Sequence, residues 1–108
     1  MLYIASSCSS KKIISDAVSE LVKLGFRHIE LTGGTEFYEN IEEDLLSLKS
    51  RHRFSFLVHN YFPPQPEAFV INLASTNSDI RNKTLNLIKQ AVNLSEKTGN
   101  KLYSIHPG

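Results

Sequence analysis

The chain has 108 residues, of which 41% are hydrophobic and 21% are charged, and its formal net charge is +1. This length fits one small domain, and the composition is that of an ordinary globular protein, which excludes a disordered chain. The small net charge and the scattered basic residues do not indicate the concentrated basic surface by which proteins bind duplex nucleic acid. The single cysteine, Cys8, excludes an internal disulfide framework and predicts a reducing, cytoplasmic compartment.

We expect neither a membrane span nor a signal peptide. The chain contains no run of about 18 apolar residues, which a membrane-crossing helix requires. Met1 leads directly into a strand-like pattern, without the basic and apolar regions of a signal peptide.

The first half of the chain alternates predicted strands with predicted helices. Residues 2–5 are a short apolar strand, and the serine-rich loop after it offers hydroxyls that could cap a helix. Apolar residues at three- and four-residue spacing then predict an amphipathic helix that Gly25 closes. Residues 26–31 form the second strand, with Glu30 near its carboxyl end, and a second helix carries its apolar face over residues 37–48.

A buried strand and an unusually long loop occupy the middle of the chain. The apolar run over residues 54–58 predicts a strand buried on both faces, and His59 stands where this strand ends. The loop over residues 60–75 is long, because connections from strand to helix usually have about two to six residues. Long loops inside compact domains are more often functional than accidental, and three prolines stiffen this one.

The last part of the chain completes an alternating pattern of strands and helices. Capping residues at 76–79 begin a third helix that ends at Gly99, and residues 101–105 form the fourth strand. The order β-α-β-α-β-α-β predicts an α/β fold with a parallel sheet and right-handed crossovers. Residues 1–108 would then be a single partial domain, half of a (β/α)8 barrel whose typical size is about 250 residues.

Two histidines follow two predicted strands in the same way. His59 follows the third strand and His106 the fourth, so in a barrel both would project into one site. Imidazole is a common ligand of zinc, and Glu30 is a further carboxylate that could act as a ligand or orient one. The alternative is that each histidine hydrogen-bonds the rim of the sheet.

The long loop carries two candidate substrate-binding residues. Tyr61 and Phe62 follow His59 directly, and they could stack on a sugar or base or fold down as the hydrophobic cover of the loop. Asn72 is polar and stands beside Leu73, where it could donate a hydrogen bond to a ligand.

These motifs resemble a known group of barrels. The strand ending in His59, the segment Ile71-Asn72-Leu73-Ala74-Ser75, the long helix and the ending His106-Pro107-Gly108 are similar to the endonuclease IV/xylose isomerase-like TIM barrels. The segment Ile29-Glu30-Leu31 is similar to the second strand of the sugar isomerase branch. The resemblance covers strands three and four, about half of the chain.

The resemblance implies a metal-dependent enzyme. In the endonuclease IV branch the histidines matched by His59 and His106 are ligands of a multinuclear zinc site. The loop after His59 departs from that branch, with Asn60-Tyr61-Phe62-Pro63 and a proline-rich insertion, and the early loops offer no evident arginine for a DNA groove. A small sugar or sugar-phosphate substrate is therefore favoured over DNA, with Glu30 as the catalytic carboxylate and zinc or manganese as the metal.

Three functions follow as expectations. The first is the amino-terminal half of a sugar-phosphate isomerase or epimerase, inactive when isolated because its ligand set is incomplete. The second is an apurinic-site endonuclease that uses a metal-bound hydroxide. The third is a non-catalytic half-barrel that forms a homodimer through its exposed strand edges. The ending on a site residue, His106-Pro107-Gly108, suggests a piece of a longer protein.

Overall fold

The structure, a computed structural model, describes residues 2–106. Over that range three α-helices alternate with four strands, which form one parallel sheet in the order β1-β2-β3-β4. The elements are β1 (Ile4–Ala5), α1 (Ile14–Lys23), β2 (His28–Leu31), α2 (Ile41–Arg51), β3 (Ser55–His59), α3 (Ser78–Lys97) and β4 (Tyr103–Ser104). The predicted α/β alternation and the parallel sheet are confirmed.

The two faces of the sheet differ sharply in burial, because successive strand residues point to opposite sides. On one side lie Ile29 and Leu31 of β2 and their register partners Phe56 and Val58 of β3, all 0% exposed. Apolar residues of α1, α2 and α3 pack with them in one core cluster. The helices therefore cover a single face of the sheet, which we call the covered face.

The opposite side of the sheet is only half-buried, and we call it the open face. Its members in the two central strands are His28, Glu30, Ser55, Leu57 and His59. The third strand, residues 54–58, was predicted to be buried on both faces, and that prediction is wrong for Ser55 and Leu57, which are only partly buried. The helices that would bury them lie on the other side of the sheet.

The helix ends are set by the residue types that the sequence indicated. Gly25 and Gly99 have φ of +100° and +78° and follow α1 and α3 in the left-handed conformation that glycine adopts most readily. The side chain of Asn77 caps α3 by accepting the N–H groups of Asp79 and Ile80. These ends confirm the predicted closures at the two glycines and the predicted cap region at 76–79.

Two helix starts differ from the expectation. Ile13 occupies the N-cap position of α1, and the hydroxyl of Ser6 instead accepts the N–H of Thr32 at the end of β2. Helix α2 begins at Ile41, later than its apolar pattern indicated, and Tyr38 lies before it with its hydroxyl donating to Asp44. Ser6 thus contacts a residue 26 positions away and Tyr38 a residue in the first turn of α2, and the apolar periodicity encodes neither contact.

The edge strands are shorter than predicted, with two residues each. Each has one strand neighbour within residues 2–106, whereas β2 and β3 each have two. None of the helices described there is long and apolar enough to cross a membrane. Pro107 and Gly108, which belong to the predicted ending of the fourth strand, lie outside the described residues.

Candidate functional site

Three of the predicted site residues lie together at the carboxyl ends of the strands. Glu30 lies in β2, His59 is the last residue of β3, and His106 follows β4 by two residues. Parallel strands end at the same edge of a sheet, so these side chains come together although 76 residues separate Glu30 from His106 in the chain. We call Glu30, His59 and His106 the strand-end cluster.

The geometry of the strand-end cluster centres on His59. Its Nδ1 lies 3.7 Å from Oε1 of Glu30, and its ring meets that of His106 edge to face with centroids 5.2 Å apart. The side chains of His59 and Glu30 are 22% and 28% exposed. Nδ1 of His59 is buried and has no hydrogen-bond partner within residues 2–106. Glu30 lies too far away to form an effective hydrogen bond with it.

Asn60 holds the end of β4 against the end of β3. Asn60 is 6% exposed. Its side chain makes two hydrogen bonds with the backbone of His106. Oδ1 accepts the N–H of His106 at 3.0 Å, and Nδ2 donates to the carbonyl oxygen of His106 at 3.3 Å. The sequence did not identify Asn60, because no local pattern marks a side chain that bonds the backbone of a residue 46 positions away.

Tyr61 lies beside the loop that follows β2. It has φ of +62°, and a Cβ added to Gly33 would lie 2.9 Å from its Cβ, so only glycine fits at residue 33 without displacing Tyr61. Its hydroxyl accepts the N–H of Ile71, and the residue remains 44% exposed. Phe62 is 0% exposed and belongs to the core, so of the two aromatic residues Phe62 is the one that covers the loop.

Asn72 joins the long loop to α3. Its Oδ1 accepts the N–H of Ala74 at 3.0 Å, and its own N–H donates to the Thr84 hydroxyl at 3.2 Å. Thr84 is 0% exposed and also donates to the carbonyl of Ile80. The hydrogen bonds of Asn72 thus serve the loop and helix, and they do not bring it into contact with the strand-end cluster.

A second polar contact lies at the amino ends of the same strands, also on the open face. Nδ1 of His28 and the hydroxyl of Ser55 are 2.7 Å apart, and the ring of Tyr3 lies 5.3 Å from that of His28. Ser55 also donates to the Tyr3 hydroxyl at 3.5 Å. These residues link β2, β3 and the segment before β1, and the sequence pattern did not single them out.

The strand-end cluster has the donor types of a metal site without the arrangement of a complete one. Two imidazoles and a carboxylate are ligands that zinc and manganese accept, and the buried Nδ1 of His59 lacks a partner. Within residues 2–106, however, no three His, Cys, Asp or Glu side chains form a group that could hold a metal ion. The cluster therefore fits part of a ligand set.

Comparisons with known proteins leave the family of the chain open. No family model, no curated protein and no solved structure matches it.

Proposed function

We propose that the chain is half of an eight-stranded parallel barrel. The sequential strand order and the three helices on one face support this reading, because a barrel places all its helices outside the sheet. A doubly wound sheet places helices on both faces and reverses its strand order at a switch point. The open face would then form part of the barrel interior.

We propose further that the barrel is a divalent-metal-dependent enzyme of the sugar-phosphate isomerase or epimerase type. The observation that carries this proposal is the buried Nδ1 of His59, which has no partner within residues 2–106 and lies beside Glu30 and His106. Burying a polar atom without a hydrogen bond costs free energy, so such an atom at the carboxyl end of a strand suggests a missing ligand. The resemblance of the segment around Ile29 to the sugar isomerase branch points the same way, whereas the segment around Asn72 resembles the endonuclease IV branch most closely.

Each side chain has a distinct role in this proposal. His59 and His106 would hold zinc or manganese, and the cation, when bound, would polarise a carbonyl or hydroxyl of the sugar. Glu30 would move a proton between substrate carbon atoms as the general acid and base. The exposed ring of Tyr61 would offer a face to the sugar. A catalytic zinc usually takes three protein ligands, so the 108-residue chain alone is expected to be inactive.

Metal binding to the 108-residue chain is the direct test. Calorimetric titration with Zn²⁺ and with Mn²⁺ should show that His59→Ala weakens binding at least about tenfold, because it removes one of few ligands. The matched control is His52→Ala, since His52 is an exposed histidine at the end of α2 and should not contribute. Equal metal affinity in the wild type and in His59→Ala would contradict the proposal.

The substrate class needs a separate measurement. Binding of a sugar phosphate and of an abasic oligonucleotide should be compared over a range of salt concentrations. An endonuclease-like surface would lose affinity steeply as salt displaces its phosphate contacts, whereas a small sugar phosphate would show a shallow dependence. Preferential, strongly salt-dependent binding of the oligonucleotide would move the proposal to phosphodiester chemistry.

Self-association is a second candidate role, and the open face favours it. Leu57 lies half-buried there, and β1 and β4 each lack a second strand neighbour within residues 2–106. Unpaired strand edges are templates for pairing with another chain, so a second copy could complete the barrel.

Sedimentation of two leucine variants tests this association. Leu57→Glu should weaken a homodimer at least about tenfold, which corresponds to about 1.4 kcal/mol of association free energy. Leu85→Glu is the matched control, because Leu85 is a 45% exposed leucine on α3, outside the open face. A wild-type chain that stays monomeric at high concentration would contradict the role in self-association.

A further inference from the structure

Two asparagine side chains hold the short strand β4 against β3, one at each end. β4 has two residues, and its register with β3 pairs Val58 with Tyr103 and His59 with Ser104. Before β4, Asn100 donates to the carbonyl of Phe56 and accepts the N–H of Leu102. After β4, Asn60 makes its two hydrogen bonds with His106.

The hydrogen bonds of Asn60 differ from those of Asn100 in the residues that they connect. Asn60 follows His59 directly in the chain. Its side chain is hydrogen-bonded to both the backbone N–H and the backbone carbonyl of His106. A single buried carboxamide therefore fixes both histidine backbones relative to each other. Asn100 joins the same two strands at a distance from the histidines, at residues 56 and 102.

Backbone fixation is needed at His106 because the strand pairing does not reach it. β4 ends at Ser104, and His106 itself is exposed. Without the two hydrogen bonds from Asn60, the strand pairing would hold the chain only as far as Ser104. The edge-to-face contact between the two rings, with centroids 5.2 Å apart, would then lose its support.

We propose that Asn60 is the positioning residue of the strand-end cluster, which presents His59 and His106 as a preorganised pair to a divalent cation. This inference rests on the proposed metal-dependent function and names the residue that organises its site. Groups that orient metal ligands through hydrogen bonds typically change metal affinity by about 10- to 100-fold when they are mutated. Asn60 would act in that way through the backbone of His106.

The test compares Asn60→Ala with Asn100→Ala in the full 108-residue chain. Each variant removes one carboxamide and two hydrogen bonds. Both bonds of Asn60 join the end of β3 to His106, whereas Asn100 makes one bond to Phe56 of β3 and one to Leu102 in its own segment. A merely structural role predicts that both variants loosen the β4 segment without a selective effect at the histidines. Three quantities are measured in each variant: the nuclear Overhauser effect between the His59 and His106 rings, the hydrogen exchange of the His106 amide, and the affinity for Zn²⁺.

The proposal expects the two variants to separate. Asn60→Ala should abolish the ring-to-ring effect, accelerate exchange at His106 at least about tenfold and weaken Zn²⁺ binding about tenfold or more. Asn100→Ala should leave the Zn²⁺ affinity and the ring contact unchanged. An unchanged ring contact in Asn60→Ala, an equal loss in Asn100→Ala, or unchanged Zn²⁺ affinity in an Asn60→Ala variant that has lost the contact overturns it.

Failure of the proposed function gives a different result. If the wild-type chain binds no Zn²⁺ but its ring contact still depends on Asn60 alone, the metal chemistry is wrong and the positioning role of Asn60 stands.

A second variant and the wild type itself keep the proposal testable if Asn60→Ala does not fold. Asn60→Ser fills more of the buried site and should show the same three changes in smaller degree. In the wild type, the His106 amide should exchange at least about tenfold more slowly than that of the exposed Lys101. Exchange of the His106 amide at the rate of Lys101 overturns the proposal.

Discussion

The covered face and the open face of the sheet come from the same strands and carry opposite kinds of residue. In β3, Phe56 and Val58 are 0% exposed under the helices, while their chain neighbours Leu57 and His59 stay half-buried. The covered face is apolar throughout β2 and β3, whereas the open face mixes leucine with histidine, serine and glutamate. The buried apolar residues that stabilise the fold are therefore concentrated on one face of β2 and β3, and their polar and ionisable side chains are concentrated on the other.

Truncating two neighbouring residues of β3, one on each face, should give the largest difference in the free energy of unfolding. Phe56→Ala removes a fully buried aromatic side chain from the core and should lower the free energy of unfolding by about 3–5 kcal/mol. Leu57→Ala, one residue later on the open face, should cost about 1 kcal/mol, because Leu57 is only partly buried and loses less buried apolar surface than Phe56. Urea denaturation followed by circular dichroism measures both.

The concentration dependence of Leu57→Ala sharpens the same comparison. If a second copy covers the open face, the cost of Leu57→Ala should rise with protein concentration while the cost of Phe56→Ala stays constant. Equal costs for the two variants at low concentration would show that the open face is a second core. Phe56→Leu, which removes less volume, gives the same direction if Phe56→Ala does not fold.

The loops at the carboxyl ends of β2 and β3 meet at Gly33 and Tyr61. Substitution at this contact should have the next largest effect on the free energy of unfolding. A Cβ at residue 33 would lie 2.9 Å from Cβ of Tyr61. Gly33→Ala should therefore lower the free energy of unfolding by about 1–3 kcal/mol, as overpacking usually does. The φ of Gly33 is not in the left-handed region, so the collision with Tyr61 is what the substitution tests.

The double variant Gly33→Ala/Tyr61→Gly isolates that collision. Tyr61→Gly removes the opposing Cβ and also places glycine at a residue with φ of +62°. In thermal denaturation the second substitution should recover much of the stability lost in Gly33→Ala, with a coupling energy of at least about 1 kcal/mol. Additive losses would show that Gly33 is required for a reason other than Tyr61.

The fold was largely accessible from the sequence, because its signals are local and periodic. Apolar spacing located all three helices, and Gly25 and Gly99 located two of their ends. The open face was missed because a run such as residues 54–58 shows no alternation that distinguishes a strand covered on one side from one covered on both. The apolar Leu57 completes the run although no helix covers it.

The sequence predicted the candidate site only where the strand order of the sheet determines which residues meet. Glu30, His59 and His106 could be brought together by reasoning, because parallel strands end at one edge. Tyr61 and Asn72 could not be placed, since their positions depend on contacts with Gly33, Ile71 and Thr84 that no local pattern encodes. The role of Asn60 is likewise a tertiary hydrogen-bond pair across 46 residues.

The smallest expected effect concerns a buried hydroxyl on the covered face, that of Tyr103. Tyr103 pairs in register with Val58, and its hydroxyl is buried without a hydrogen-bond partner within residues 2–106. Tyr103→Phe should leave the free energy of unfolding at pH 7 unchanged or raise it by up to about 1 kcal/mol, because it removes an unpaired buried group. A loss of more than about 1 kcal/mol in Tyr103→Phe would instead show that the hydroxyl makes a stabilising hydrogen bond.

The pH dependence of the same substitution gives the sign of the burial effect. Burial raises the pKa of Tyr103 above its ordinary value, so the neutral phenol is favoured in the folded state. The stability from this group is fully present below about pH 10, where the unfolded chain is also neutral, and is lost as pH rises through the higher folded pKa. Unfolding free energies measured between pH 9 and pH 11 should therefore fall less steeply in Tyr103→Phe than in the wild type. An identical slope would mean that the phenol ionises as readily in the folded chain as in water, and that the covered face is open to solvent at β4.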